Sequence, residues 1–218
     1  MESASDGNAY SRRLTVFGAT GDTGRLIVQL AVARGQRVTV LVRDRSKLGG
    51  LTEVVEGSVL DAAAVDRAIP RGTDAVLSAL GQTRGSPADL ETVALANIVQ
   101  SMRKNGVKRL VVLANTAIGD PRDDPTASQR LFRWLAKVFR RSTYNDSLTK
   151  GPVVRNSGLD WTIVRTSLLT NSSPKGRVRV GVLGRGTGVR VSRNDMAEFM
   201  LNCAVQGRYI GESPYISE

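Results

Sequence analysis

Short apolar runs alternate along the chain with segments whose apolar residues recur every three to four positions, the pattern of buried strands separated by amphipathic helices. Leu14 to Phe17 is the first run, Arg25 to Arg34 the first periodic segment, and Arg37 to Val42 (RVTVLV) the second run. Thr52 to Glu56 reads as a short third strand and Ala62 to Ile69 as a helix ended by Pro70 and Gly72. Ala75 to Leu80 is continuously apolar, as a parallel strand covered on both faces requires, and Gly81 ends it. A long helix starts near Pro87 and runs to about Lys104, with Leu90, Val93, Ala94, Ala96, Ile98, Val99 and Met102 as its buried face and Asn105-Gly106 as its stop. Arg109 to Ala114 and Trp161 to Arg165 are the fifth and sixth strands, the latter preceded by a helix from about Asp146 to Asn156. A Gly/Arg-rich extended stretch (Gly176 to Val191), a helix (Arg193 to about Val205) and a last extended segment (Ser213 to Ile216) complete the reading.

Strict alternation of strand and helix predicts an α/β fold: a doubly wound (Rossmann) parallel sheet flanked by helices, in a single domain. Right-handed crossovers then place ligands outside the carboxyl ends of the strands. The 218 residues contain no Pro/Gly/Ser-rich linker, so residues 13–218 read as one unit behind a polar, mobile tail, 1–12. The region 119–145 interrupts the pattern. A polar loop with two prolines, Gly119 to Ser128, leads into Gln129 to Arg141, where Leu131, Trp134, Leu135 and Val138 fall at helical spacing. Arg130, Arg133, Lys137, Arg140 and Arg141 occupy the rest of the wheel. Lying after the fifth strand, this segment reads either as a lid on the ligand crevice or, more simply, as a surface helix that packs its apolar stripe; a membrane-surface helix is the third reading.

Candidate chemistry begins where the first strand breaks into glycines, LTVFGATGDTG. Gly18, Gly21 and Gly24, with Thr20, Asp22 and Thr23 between them, form a strand, a tight turn and a helix start. That arrangement brings backbone N–H groups and the positive end of a helix dipole to a pyrophosphate. The second strand completes the βαβ unit, and Arg43 follows it directly, with Asp44, Arg45 and Lys47 close by. An acid at that point would take the ribose hydroxyls of NAD(H), whereas a cation pairs with the additional phosphate. Arg43 therefore favours NADP(H), and an inward-turned Asp44 would favour NAD(H).

Composition narrows the remaining chemistry. Lys and Arg number 31 against 20 Asp and Glu, for a net charge of +11, which suits anionic partners. The absence of histidine removes imidazole acid–base catalysis and most zinc and iron sites, and no metal site is expected. Cys203 is the single cysteine, set among apolar residues at helical spacing, so a buried thiol in a cytoplasmic protein is expected. No segment reaches the length of a membrane span, no membrane partner is expected, and the dispersed arginines match no DNA-binding motif.

GATGDTG followed by VLVRD, with VKRLVVLA, SGLDWTIVR and VSRNDMAEFM, resembles the NmrA-like, atypical branch of the short-chain dehydrogenases, and within it the flavin reductase/biliverdin-IXβ reductase group. The resemblance implies that Gly18 to Gly24 hold the pyrophosphate and that Arg43 and Lys47 hold the adenosine phosphate. The family's Asp-Val pair against adenine stands here as Ser58-Val59, and Leu80, Gly81 and Gln82 match the turn beside the ribose. Near the nicotinamide it implies Ala114-Asn115-Thr116, with Asn115 where the reductases carry serine, and Arg165-Thr166-Ser167-Leu168 after the sixth strand. Asn115, Thr116 and Ser167 would be the catalytic residues. The Tyr-x-x-x-Lys pair of ordinary short-chain dehydrogenases is missing, since Lys150 comes six residues after Tyr144. That loss disfavours carbonyl reduction, which needs a proton for a developing alkoxide, and leaves hydride transfer to a conjugated acceptor. The expected activity is an NADPH-dependent reduction of a planar, flavin-like or bilin-like small molecule by a monomer or weak oligomer. The alternative is an NADP(H)-binding redox sensor without turnover.

Overall fold

Strand β1 (Arg13–Phe17) lies between β2 (Arg37–Val42) and β4 (Ala75–Ser78), parallel to both. The computed structural model describes residues 11–47, 53–83, 85–139, 141–184 and 186–218. β3 (Glu53–Glu56) extends the sheet beyond β2, while β5 (Arg109–Asn115) and β6 (Asp160–Thr166) extend it beyond β4. Two short strands, β7 (Leu168–Thr170) and β9 (Arg190–Ser192), pair in parallel as a separate ribbon. β8 (Arg179–Gly181) pairs antiparallel with β10 (Tyr215–Ser217), which lies parallel to β6. Among the described residues the main sheet has the order β3-β2-β1-β4-β5-β6-β10-β8. The order reverses between β1 and β4, which makes the crevice above their carboxyl ends the expected ligand site.

Helices cover both faces, which is why the central strands are apolar without alternation. On one face α1 (Asp22–Ala33) and α6 (Arg193–Gln206) bring Ile27, Ala31, Met196, Met200 and Cys203 against Leu14, Val16, Val40, Leu77 and Val111. On the other, α2 (Ala62–Ala68), α3 (Leu90–Asn105) and α5 (Arg141–Arg155) bring Val65, Leu95, Ile98, Met102 and Val154 against Phe17, Val76, Leu110, Val112 and Ile163. α4 (Ala127–Phe139) stands apart from both cores.

Several boundaries differ from the sequence expectations for physical reasons. α1 begins at Asp22, not Arg25, because Gly21 takes the extended N-cap geometry and the end of the glycine motif becomes the first helical turn. Along α3, Leu95 and Glu91 are buried where Leu90, Val93 and Ala96 were expected; Ala96 is exposed, because α2 and α5 flank the helix and rotate its buried face. α5 starts at Arg141, five residues before the expected Asp146, and β7 follows β6 almost without a break. Only Arg179–Gly181 and Arg190–Ser192 of the Gly176 to Val191 stretch are strand. Of the expected tail, residues 1–10 lie outside the described residues. Ser11 donates from Oγ to the Gly35 carbonyl (2.8 Å) and the Arg12 N–H donates to Gln36 Oε1 (2.7 Å), which ties both to the end of α1.

Candidate functional site

Contacts that only glycine permits shape the loop after β1. Gly18 has φ +80°, and a Cβ there would stand 2.6 Å from the Ala79 carbonyl oxygen, so its absence lets the turn meet the end of β4. A Cβ on Gly24 would lie 2.0 Å from the Gly18 carbonyl oxygen, so the first turn of α1 stacks directly on the loop. No side chain caps α1 at Gly21, which leaves the N-terminal backbone donors of the helix facing the crevice. Thr20 and Asp22 are exposed there and Thr23 is buried. The Asp22 carboxylate lies 3.5 Å from Arg193 Nε and 3.7 Å from the Arg25 guanidinium, so its charge is offset where an anion would approach.

The residues expected to read the rest of a dinucleotide line the same edge. Arg43 is exposed at the end of β2, while Asp44 is turned to Ser46, accepting from its N–H (3.0 Å) and its hydroxyl (2.7 Å). Lys47 ends a single 3-10 turn, Arg45–Lys47; its side chain lies outside the described residues. Ser58 and Val59 are half-buried after β3, where Ser58 Oγ accepts from the Leu60 N–H (3.2 Å) and the Val59 carbonyl from Asn97 Nδ2 (3.0 Å).

Beyond this edge a cavity of about 540 Å³ opens over the carboxyl ends of β4, β5 and β6. Its lining brings together Leu80, Gly81 and Gln82, Ala114, Asn115 and Thr116, and Thr166 and Ser167, three stretches from three strands. Asn115 is held on both sides of its amide: Nδ2 donates to Ser147 Oγ (2.9 Å) and Oδ1 accepts from the Ala117 N–H (2.9 Å). Ser167 Oγ lies 2.9 Å from the Tyr215 hydroxyl, which donates onward to the Gly188 carbonyl (2.8 Å). A hydroxyl has one proton to give, so Ser167 is the donor in its pair and keeps acceptor capacity toward the cavity. Thr166 Oγ1 is buried without a hydrogen-bond partner among the described residues, a polar atom on the lining that a bound amide or hydroxyl would satisfy. These features fit a dinucleotide: a glycine cradle, an uncapped helix end and an unpaired donor at the far end of the groove.

Arg165 requires a correction. It was expected at the cofactor, yet its side chain is fully buried and lies away from the cavity lining. Its guanidinium donates to both carboxylate oxygens of Asp123 (2.6 and 2.9 Å) and to the carbonyls of Ile118 and Ser213 (3.2 and 2.8 Å). Successive residues of a strand point to opposite faces, so the neighbouring Thr166 reaches the cavity and Arg165 does not. Arg165 instead anchors the loop that leads to α4.

The cavity also contains charged residues that sequence reasoning missed. Lys150 and Glu91 are buried on its wall and form an ion pair, with Lys150 Nζ donating to Glu91 Oε2. Burial pushes the Glu91 carboxyl above its usual range, against the opposing pull of Lys150. Asp146, one helical turn before Lys150, caps α3 from outside, its carboxylate accepting from the N–H groups of Glu91 (2.9 Å) and Thr92 (3.0 Å). The Asp146-x-x-x-Lys150 spacing was the available signal, since it puts both charges on one face of α5. Tyr144 and Arg193 complete the polar wall, and Leu135 and Phe139 of α4 form part of the apolar one. Among the described residues no cluster of acidic residues and cysteine could hold a metal ion.

Known proteins are similar to this chain in sequence or in fold. A protein of Arabidopsis thaliana, designated uncharacterized and chloroplastic, is 28% identical over 191 residues, covering 82% of this chain and 67% of its own. A 3-diazoavenalumate denitrifying reductase from Streptomyces is 33% identical over 128 residues, 54% of this chain but only 42% of that protein. Solved structures share the fold as well. The short-chain dehydrogenase/reductase of Veillonella parvula in complex with NADP has a TM-score of 0.74 at 18% identity, covering 95% of this chain and 94% of that one. ChuY of Escherichia coli O157:H7, described as an anaerobillin reductase, has a TM-score of 0.74 at 19% identity over 94% and 97%. The sequence model of the NAD(P)H-binding family matches residues 18–206, from the first glycine of the loop to the end of α6, and the chain belongs to that family.

Proposed function

We propose that the protein is an NADPH-dependent oxidoreductase that reduces a planar, conjugated acceptor of the flavin or bilin kind. The observation that carries this reading is the state of the polar groups in the cavity: Asn115, Ser167, Lys150 and Glu91 are each engaged with a protein partner. Such a site is suited to positioning rings and holding charge, and less suited to delivering a proton to an alkoxide. A bound NAD(P)H supplies the hydride. Gly18 to Gly24 and the start of α1 would bind the pyrophosphate, Arg43 and Lys47 the phosphate that distinguishes NADP, and Ser58 and Val59 the adenine. Leu80, Gly81, Gln82, Ala114, Thr116 and Thr166 would line the ribose and nicotinamide end. Asn115 would hold the β5 turn through Ser147, and Ser167 would accept a hydrogen bond from the ligand. The Lys150–Glu91 ion pair would present a fixed dipole to an acceptor that gains negative charge on reduction.

The bilin reductase and denitrifying reductase among the similar proteins, and the NADP-bound fold relative, support a reductase and the cofactor class. NADPH oxidation measured with FMN, riboflavin, biliverdin and simple quinones tests the reading. Turnover is expected with at least one of these and not with simple ketones or aldehydes. Tight NADPH binding with no acceptor reduced would contradict it and would favour an NADP(H)-binding sensor.

A further inference from the structure

Leu131, Trp134, Leu135, Val138 and Phe139 recur at helical spacing on one face of α4, and all five are exposed, from 37% at Leu135 to 79% at Phe139. The expectation that this stripe packs against the body is therefore not met. Residues 127–141 carry Arg130, Arg133, Lys137, Arg140 and Arg141 and no acidic residue. Arg130, Trp134 and Lys137 follow one another at four- and three-residue spacing, which sets an exposed aromatic ring between two exposed cations at the border of the apolar face.

We infer that α4 docks in the plane of an anionic bilayer surface, with its apolar face at the headgroup boundary and its cations on lipid phosphates. An amphipathic helix with Trp, Phe and Leu on one face and Lys and Arg on the other has the composition for that position. The cations match a negative surface potential, which attracts basic segments within a Debye length. A second copy of the chain fits less well: a twofold contact through α4 brings Arg130, Arg133 and Lys137 of each helix together, with no carboxylate in residues 127–139 and one, Asp124, 3.7 Å from Arg130 before it, to offset them. Residues 1–10, MESASDGNAY, have too few apolar side chains to cover the face. Leu135 and Phe139 belong to both the exposed face and the cavity wall, so the docked surface would end at the cavity mouth. No helix among the described residues is long and apolar enough to cross a membrane.

The test is sedimentation of the full chain with vesicles of phosphatidylcholine alone or of phosphatidylcholine containing phosphatidylglycerol, with tryptophan emission read in parallel. Binding about ten-fold tighter to the anionic vesicles is expected, weakening with salt, together with a blue shift from Trp134. Leu131→Gln/Trp134→Gln, at two positions off the cavity lining, should lower vesicle affinity about ten-fold or more and leave NADPH affinity unchanged. Lys137→Gln should lower it about five-fold. Equal binding to both vesicle types, or binding to neither, would overturn the proposal. So would a concentration-dependent dimer abolished by Leu131→Gln/Trp134→Gln in the absence of vesicle binding, which would assign the face to a second copy.

Discussion

The two sides of the crevice are built by different means. The β1-α1-β2 side is made of backbone: glycines that let chain approach chain, an uncapped helix end, and one exposed arginine after a buried strand. On the β5–β6 side, the site consists of side-chain pairs that join residues far apart in sequence. Asn115 meets Ser147 across 32 residues, Ser167 meets Tyr215 across 48, and Glu91 meets Lys150 across 59. Backbone cradles tolerate exposed and variable surroundings, whereas buried charge pairs depend on both partners and on the packing that desolvates them.

The largest difference between the two sides should appear on removing one member of a buried pair. Lys150→Met leaves the Glu91 carboxylate uncompensated and should cost about 3 to 5 kcal/mol of stability at neutral pH. Burial already raises the Glu91 carboxyl. Without Lys150 the pull that holds it down is gone, so the deficit should be greatest above the variant's still higher value and shrink as pH falls through it, where Glu91 takes up a proton and the buried charge disappears. Denaturant unfolding of the wild type, Lys150→Met and Glu91→Gln/Lys150→Met across acid and neutral pH checks this, and the double variant should recover much of the loss. A deficit that does not change with pH would mean that Lys150 acts through packing alone.

On the other side, Gly24→Ala drives a Cβ to 2.0 Å from a backbone oxygen, a contact that only movement of the loop relieves. Overpacking of this kind costs about 1 to 3 kcal/mol, and NADPH affinity should fall with it, as calorimetric titration would show. Unchanged affinity would separate the loop from the cofactor. Arg43→Ala should have the narrowest effect: about 1 to 3 kcal/mol of NADPH binding from the lost charge-assisted contact, little change in NADH binding, and no change in unfolding midpoint. Equal loss for both cofactors would remove Arg43 as the group that distinguishes them.

This contrast also explains what could be read from the sequence. The glycine spacing, RVTVLV and the apolar runs of β4, β5 and β6 are local patterns set by backbone geometry and two-sided burial, and they are enough to give the βαβ unit and the doubly wound, mostly parallel sheet. α4 is half legible: its apolar period is plain, but whether an apolar stripe meets the core depends on tertiary position, and here it stays exposed. Glu91 and Lys150 look like ordinary helix charges until α3 and α5 are side by side. Arg165 was misplaced because the turn after β6 is recognisable locally, whereas the direction of one side chain depends on strand parity and on Asp123, a residue of a distant loop. Cys203 was read correctly from its apolar neighbours; it is buried, and desolvation pushes its thiol up to about 11.

A crystal structure with NADP bound tests most directly whether the two sides form one catalytic groove. The account predicts the pyrophosphate at Gly18 to Gly24, the nicotinamide end within hydrogen-bonding reach of Thr166 Oγ1, and an open slot between it and Lys150 wide enough for a flat ring system. A nicotinamide outside the cavity, or a slot closed by Leu135 and Phe139 with no room above the ring, would contradict it.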